Sequence, residues 1–591
     1  MRIRRYPFVP FVPSDSSASP APLASLASLA SFLTVAAAVV GIQAPLRPAA
    51  AQSVADTSAF RRLDLPAPNA YRTGSGRPGA AYWQQRVDYR IRATLDPAAN
   101  QVRGRETIRY ENRSPDALSY LWMFLEQNIC DPESVTNVLH QPPLQFGETA
   151  FDFSCQGFDG GLTLTGLTVG GRDAAHQVYG TTMRVDLPHP LPPGETVELE
   201  AAWSFPVPDY GAARMGHDGP LYQIAQWYPR MAVYDDVQGW NAEPYIGGGE
   251  FYLEYGSFDV AVTVPASYVV AATGTLQNPE DVLTPTQRDR LERARTSAQP
   301  VAVITRAEAG TPGARPAAAG TLTWHFAADD VRDFAFAAGP SLRWDAAAWD
   351  GILIQTLYRP DKTPWEEAIR MAVASIRHFS ENWYRYPYPQ ATTVEGPIEG
   401  MEYPMLTFVP VGLGREDLQW VLSHEFGHEW FPMVVGSNER LYPWMDEGFN
   451  TFIDLGGAEA YFAGTPYADT VGVNPLHQYA EHAIPGQEQP LITRPVESRD
   501  LMWTAYRKPA LMLQLLRFEV LGRERFDHAF RSYTAAWAFK HPTPADFFRV
   551  MADASGMNLD WFWREWIYTT ARLDQAVDRV TARADGGTDV H

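Results

Sequence analysis

The sequence predicts an α+β multidomain protein: an N-terminal β-sandwich-like domain of mostly antiparallel sheets, followed by a helix-rich domain. Three observations predict it. At 591 residues the chain exceeds what one ordinary core accommodates, so two or three domains are expected. Between about residues 80 and 340, apolar and polar residues alternate in several stretches. Near residue 360 that period of two gives way to a helical one.

The alternation is plainest in Val87-Asp88-Tyr89-Arg90-Ile91-Arg92, in Val197-Glu198-Leu199-Glu200 and in residues 258–264, which Pro265 ends. Each puts one face into a core and the other into water, as half-buried antiparallel strands do. The Pro-, Ala- and Gly-rich piece at 299–320 reads as an exposed loop within this region. Thr363-Pro364-Trp365-Glu366 reads as a capping box with Pro at the first helical position. Behind it Ala368, Ile369, Ala372, Ile376 and Phe379 share one helical face. The expected segments are 1–51 as a signal peptide, 52–79 as a flexible linker, 80–340 as the β domain and 341–530 as the helix-rich domain. Residues 531–591 are expected to form a short helical segment and tail.

A composition of 45% hydrophobic and 20% charged residues is that of a globular chain. The 13% of aromatics suits large buried sheets or a ring-lined cleft. A net charge of -21 makes nucleic acid a poor partner, whereas the same field attracts cations such as the α-ammonium of a peptide. Arg2, Arg4 and Arg5, an apolar stretch at 23–40 and Ala49-Ala50-Ala51 are the three parts of an export signal cleaved after Ala51. That implies the periplasm or the medium, with an uncleaved anchor as the alternative. No later stretch reaches spanning length, so no stable membrane span is expected after cleavage. Cys130 and Cys155 are the two cysteines, and their pairing is left open. They are too few for a Cys-rich zinc site, which leaves His and carboxylates for any metal.

The chemistry concentrates in Leu422-Ser423-His424-Glu425-Phe426-Gly427-His428-Glu429-Trp430-Phe431-Pro432. Residues four apart on a helix stand one turn above each other, so His424 and His428 present two imidazoles to one ion, with Glu425 beside them. Pro432 is expected to end that helix. Trp444-Met445-Asp446-Glu447-Gly448-Phe449 places Glu447 nineteen residues after His428, room for a loop through Tyr442-Pro443 and a returning second helix. Two His and one Glu leave a fourth position open for water, the pattern of catalytic rather than structural zinc.

HEFGHEWF followed at this spacing by WMDEGF resembles the gluzincin aminopeptidases of the M1 family. Gly400-Met401-Glu402-Tyr403 resembles that family's exopeptidase segment, with Tyr where many members have Asn and Glu399 where a Gly is usual. Ala505-Tyr506-Arg507-Lys508-Pro509-Ala510-Leu511 resembles its Tyr-x-Lys-Gly/Pro segment. Gln226-Trp227-Tyr228-Pro229-Arg230 and parts of 258–274 look like its N-terminal domain, so the likeness runs from about 80 to 575. About 85 residues follow Tyr506, so the long C-terminal helical domain of many members is expected to be small, absent or replaced by another subunit.

The resemblance implies a thermolysin-like catalytic domain, one Zn²⁺ per chain on His424, His428 and Glu447, and peptide substrates with a free N-terminus. It implies Glu425 as general base, Tyr506 as oxyanion donor and Glu402 as the clamp for the α-ammonium, with Gly400, Met401 and Gln226 also at the substrate. Glu399 is a rival for the clamp. Glu429 and Asp446 are candidates to orient the histidines. The alternatives are a zinc endopeptidase with an open cleft, an inactive binding module on the same fold, and an epoxide hydrolase side activity.

Overall fold

The alternating stretches form the expected strands. β1 (Arg86–Asp96) pairs antiparallel with β2 (Gln101–Glu111) from end to end. Val87, Tyr89 and Ile91 point into the core while Arg90 and Arg92 face solvent. A fully buried aliphatic side chain contributes about 1.5–3 kcal/mol, so one such face holds a strand in register. With β3 (Thr163–Val169), β4 (Thr196–Pro206), β5 (Gly256–Pro265) and β6 (Thr321–Val331) these strands build an eight-stranded sheet. Its order is Thr275–Leu276, β6, β5, β1, β2, β4, β3, Arg172–Asp173, and only β1 with β5 runs parallel. Two four-stranded sheets, one of them containing Leu118–Phe124 and Thr182–Leu191, and two small two-stranded sheets accompany it in the β half. Cys130 and Cys155 form a disulfide there, with Cα atoms 5.4 Å apart.

The second half begins earlier than expected. Val301–Ile304, within the piece read as an exposed loop, is a strand that pairs with β7 (Arg343–Trp349). It opens a six-stranded sheet that continues through β8 (Ile352–Tyr358), β9 (Gln390–Gly396), β11 (Leu406–Pro410) and the edge strand β10 (Met401–Tyr403). A boundary at 340 therefore cuts that strand from its own sheet. Helices α1 (Ala368–Asn382), α2 (Arg415–Gly427) and α3 (Glu447–Tyr461) pack together beside the sheet. α4 (Lys508–Leu515), α5 (Arg523–Trp537) and α6 (Pro544–Ser555) follow. The boundary expected at 530 falls inside α5, and the expected tail contains a β-hairpin of Val580–Ala582 with Thr588–Val590.

The five apolar residues assigned to α1 are all buried. Its capping box does not form: no side chain caps the helix start, and Glu366 instead meets Arg306 and Arg343 at 3.4 and 3.3 Å. Thr543 and Asp546 do form such a box, at the start of α6.

This computed structural model describes residues 61–590, apart from 139–143, 147–148, 152–154, 210–213, 318, 468–478, 480–487 and 572–576. The export signal lies outside the described residues, as does the linker up to residue 60. From residue 61 the linker reading is corrected. Arg72 is buried, pairs with Asp546 and with Asp236 (2.8 Å), and lies over the Trp537 ring. The Trp537 indole donates to the Gly76 carbonyl at 2.8 Å. A Cβ at Gly76 would collide with the backbone of α6, so glycine lets the segment press against that helix, a packing role that composition alone reads as flexibility. Among the described residues no helix is long and apolar enough to cross a membrane.

Candidate metal centre

α2 begins with Glu416 and Asp417 in its first turn, where the helix dipole favours acids. Leu418, Leu422 and Phe426 anchor it to the core. The regular helix stops at Gly427, before Pro432, and an irregular turn spans Glu429–Val434. Gly427 marks the crossing of α2 and α3, where a Cβ would stand 1.9 Å from the Asn450 side chain. That contact brings Glu447, the first residue of α3, under the two histidines.

The expected ligand set converges. Nε2 of His424 and Nε2 of His428 stand 3.2 Å apart, and each is 3.3 Å from Glu447 Oε2. Four donors placed tetrahedrally at zinc bond lengths stand about 3.3–3.4 Å apart, so this triangle fits three corners of a zinc site. The outward nitrogens agree. His424 Nδ1 is 2.7 Å from Asp454 Oδ2, and His428 Nδ1 is 2.8 Å from both Asp446 Oδ1 and the Phe431 carbonyl. Acceptors at Nδ1 hold the proton there and turn both Nε2 lone pairs towards the triangle. Burial would raise the Glu447 carboxyl, but the two neighbouring imidazoles hold it well below the ordinary carboxylate range.

Of the two proposed orienting acids, Asp446 takes that role and Glu429 does not. Glu429 accepts from the Met405 amide at 3.1 Å, and burial pushes it up to about 8. Asp454 was missed, although it lies on the face of α3 that Glu447 and Asn450 share, seven residues after the first and four after the second. Asn450 donates to the His424 carbonyl at 2.8 Å.

A cavity of about 370 Å³ opens over the triangle. Glu425, Tyr506, Glu402, Met401, Gly400 and Glu399 all line it. Burial, partly offset by the two histidines, pushes the Glu425 carboxyl up to about 8. Gly400 has φ +83°, and a Cβ there would lie 2.5 Å from Glu425 Oε1, so only glycine lets the edge strand approach this closely. The Tyr506 hydroxyl donates to Glu447 Oε1 at 2.6 Å, and its ring lies parallel to that of His424. Glu402 is 2% exposed, stands 4.0 Å from His428 Nδ1, and among the described residues its Oε1 has no hydrogen-bond partner. Glu399 is exposed.

The assignment of Gln226 to the substrate is corrected. It is 1% exposed, does not line the cavity, and has φ +49° in a turn whose carbonyl accepts from Gln127 at 2.8 Å. The β half reaches the cavity instead through Glu250, paired with Arg214. Oxygens of Glu250, Glu402 and Glu439 lie within 4.8 Å of one another. Nothing in the local sequence singles out Glu250, which follows three glycines at 247–249 and arrives by tertiary approach.

Residues 412–566 match the sequence model of the peptidase family M1 domain. Leucine aminopeptidase 2 of Aspergillus clavatus is 24% identical over 190 residues, 29% of this chain and 30% of that one. Aminopeptidase B of Rattus norvegicus is 30% identical over 162 residues, 26% of this chain and 25% of that one. The chain thus spans less than a third of the length of either relative. An M1 zinc metallopeptidase from Deinococcus radiodurans superposes with a TM-score of 0.54 at 18% identity, over 85% of this chain and 98% of that chain. At that identity the likeness is one of fold. A mutant of that metallopeptidase, similar at the same TM-score and identity over 83% of this chain and 97% of its own, was solved with a Tyr-Ser-Ala substrate.

Proposed function

We propose that this protein is an M1-type, zinc-dependent aminopeptidase that hydrolyses the N-terminal peptide bond of peptides. One observation carries the reading: the triangle of His424, His428 and Glu447 shares its cavity with Glu425, Tyr506 and a buried carboxylate, Glu402, whose Oε1 has no hydrogen-bond partner among the described residues. The aminopeptidase names of the relatives support it. Zinc held by the triangle would supply Lewis acidity for a water and for the scissile carbonyl.

The chain's own groups do the rest. A Glu425 carboxyl poised near neutrality takes the proton of the attacking water and delivers it to the leaving amine. Burial and the neighbouring charge of Glu447 keep the Tyr506 phenol well above its ordinary pKa. It therefore stays a proton-bearing donor, able to turn from Glu447 to an oxyanion as negative charge develops. Burial likewise holds Glu402 high until an α-ammonium arrives to pair with it. Such a clamp admits one residue before the scissile bond.

The test is zinc-loaded protein on aminoacyl-nitroanilides and on the same compounds N-acetylated. Free amines are expected to be cleaved and acetylated ones poorly. Equal cleavage of both would replace this reading with the endopeptidase one. Export is proposed with it: the tripartite start argues for it, and the Cys130–Cys155 disulfide suits an oxidising compartment.

A further inference from the structure

The cavity is lined by five carboxylates, those of Glu250, Glu399, Glu402, Glu425 and Glu447, and by two guanidinium groups. Arg214 is committed to Glu250. Arg507 is different. It is exposed at the cavity wall, and among the described residues its guanidinium makes no hydrogen bond or ion pair.

Its position has a direction. Glu402 stands at the His428 side of the ligand triangle, 4.0 Å from Nδ1. Tyr506 stands at the opposite side, stacked along His424 with centroids 6.0 Å apart. A peptide whose amine meets Glu402 and whose scissile carbonyl meets Tyr506 must run from the His428 side towards the His424 side. Arg507 follows Tyr506 directly, so it borders the path by which the rest of the peptide leaves. Two or three extended residues cover only about 7–11 Å, so the carboxylate of a short peptide falls within this reach. A cavity of about 370 Å³ lies at the small end of ligand sites, sized for a few residues.

We propose that Arg507 binds the C-terminal carboxylate of short peptides, making the enzyme selective for peptides of a few residues with a free C-terminus. The inference rests on the aminopeptidase reading and adds the far end of the substrate to it. A planar guanidinium suits a carboxylate, pairing by two parallel charge-assisted hydrogen bonds. The local pairing opposes the global field, because a net charge of -21 favours the more cationic ligand.

The experiment compares trialanine with trialanine amide, which share amine, scissile bond and side chains. In zinc-loaded wild type, kcat/KM is expected to be about tenfold higher for the acid. In Arg507→Gln the acid-to-amide ratio, which cancels any general loss of activity, falls to one or below, while Arg507→Lys keeps most of it. Calorimetry on zinc-loaded Glu425→Gln protein reads the same preference as a ratio of Kd values without turnover. Equal values for the two peptides in wild type, or a preference that survives Arg507→Gln, overturns the proposal. Absence of hydrolysis would defeat the aminopeptidase reading alone, since the calorimetric ratio still decides the role of Arg507.

Discussion

In the helical half, carboxylates withdrawn from water meet a cation, a donor or the cavity. Glu447 meets two imidazoles, Asp454 and Asp446 one each, and Glu429 an amide. In the β half, Glu106 meets none of these. It sits on the inward face of β2 between Ile91 and Ala201 of the flanking strands, and neither of its oxygens has a partner among the described residues. Burying a carboxylate is expensive unless something compensates it. Where a metal or an ammonium is due to arrive, that cost becomes binding affinity. Where nothing arrives, it is lost stability.

The largest expected effects separate the two kinds of carboxylate at the triangle. Glu447→Gln removes a ligand and should lose both tight zinc and turnover. Glu425→Gln should retain zinc, by elemental analysis, while kcat falls by about 10²–10⁴, the usual worth of a general base. Metal lost from Glu425→Gln and kept by Glu447→Gln would reverse the two roles. Next in size is Tyr506→Phe. The phenol acts mainly as charge develops on the substrate, so kcat should drop about 10²–10³-fold with KM little changed. An effect confined to KM would assign Tyr506 to ground-state binding.

Legibility followed the same division. His424, Glu425 and His428 could be read because one helical turn joins them, and Glu447 because a short loop returns the chain. Asp454 was equally legible, since 447, 450 and 454 fall on one face of α3, but the pattern of ligands drew attention from the face behind them. Glu250 and Arg214 were not legible, because β-half loops bring them across the molecule and no local period records that approach. Gln226 was carried over from a short segment of family likeness, and its turn buries the side chain away from the cavity. The segment from residue 61 to 79 fails for a related reason: the partners of Arg72 are 164 and 474 residues away. Thr363 and Thr543 show that even a local signal is conditional. Their boxes look alike, yet Arg306 and Arg343 recruit Glu366 from the first, while the second stays intact.

The smallest expected effect tests the comparison most directly, because Glu106 has no catalytic duty to confuse it. Burial alone raises its carboxyl well above the ordinary range. The folded pKa therefore exceeds the unfolded one. Its contribution to stability is fully present below about pH 4.3 and is lost as pH rises towards the folded pKa. Each pH unit in that window costs about 1.4 kcal/mol, which bounds the loss by pH 7 at about 3–4 kcal/mol. Glu106→Gln keeps the shape and hydrogen-bonding capacity of the neutral acid but cannot ionise. The variant should match wild type in thermal midpoint near pH 4.5 and exceed it by a few degrees at pH 7.5. The nearby titrating group is the Tyr89 phenol, also raised well above its usual value, chiefly by burial, so it stays neutral across this window. A midpoint difference that is independent of pH, or a variant less stable at pH 7.5, would mean that Glu106 has a compensating partner after all.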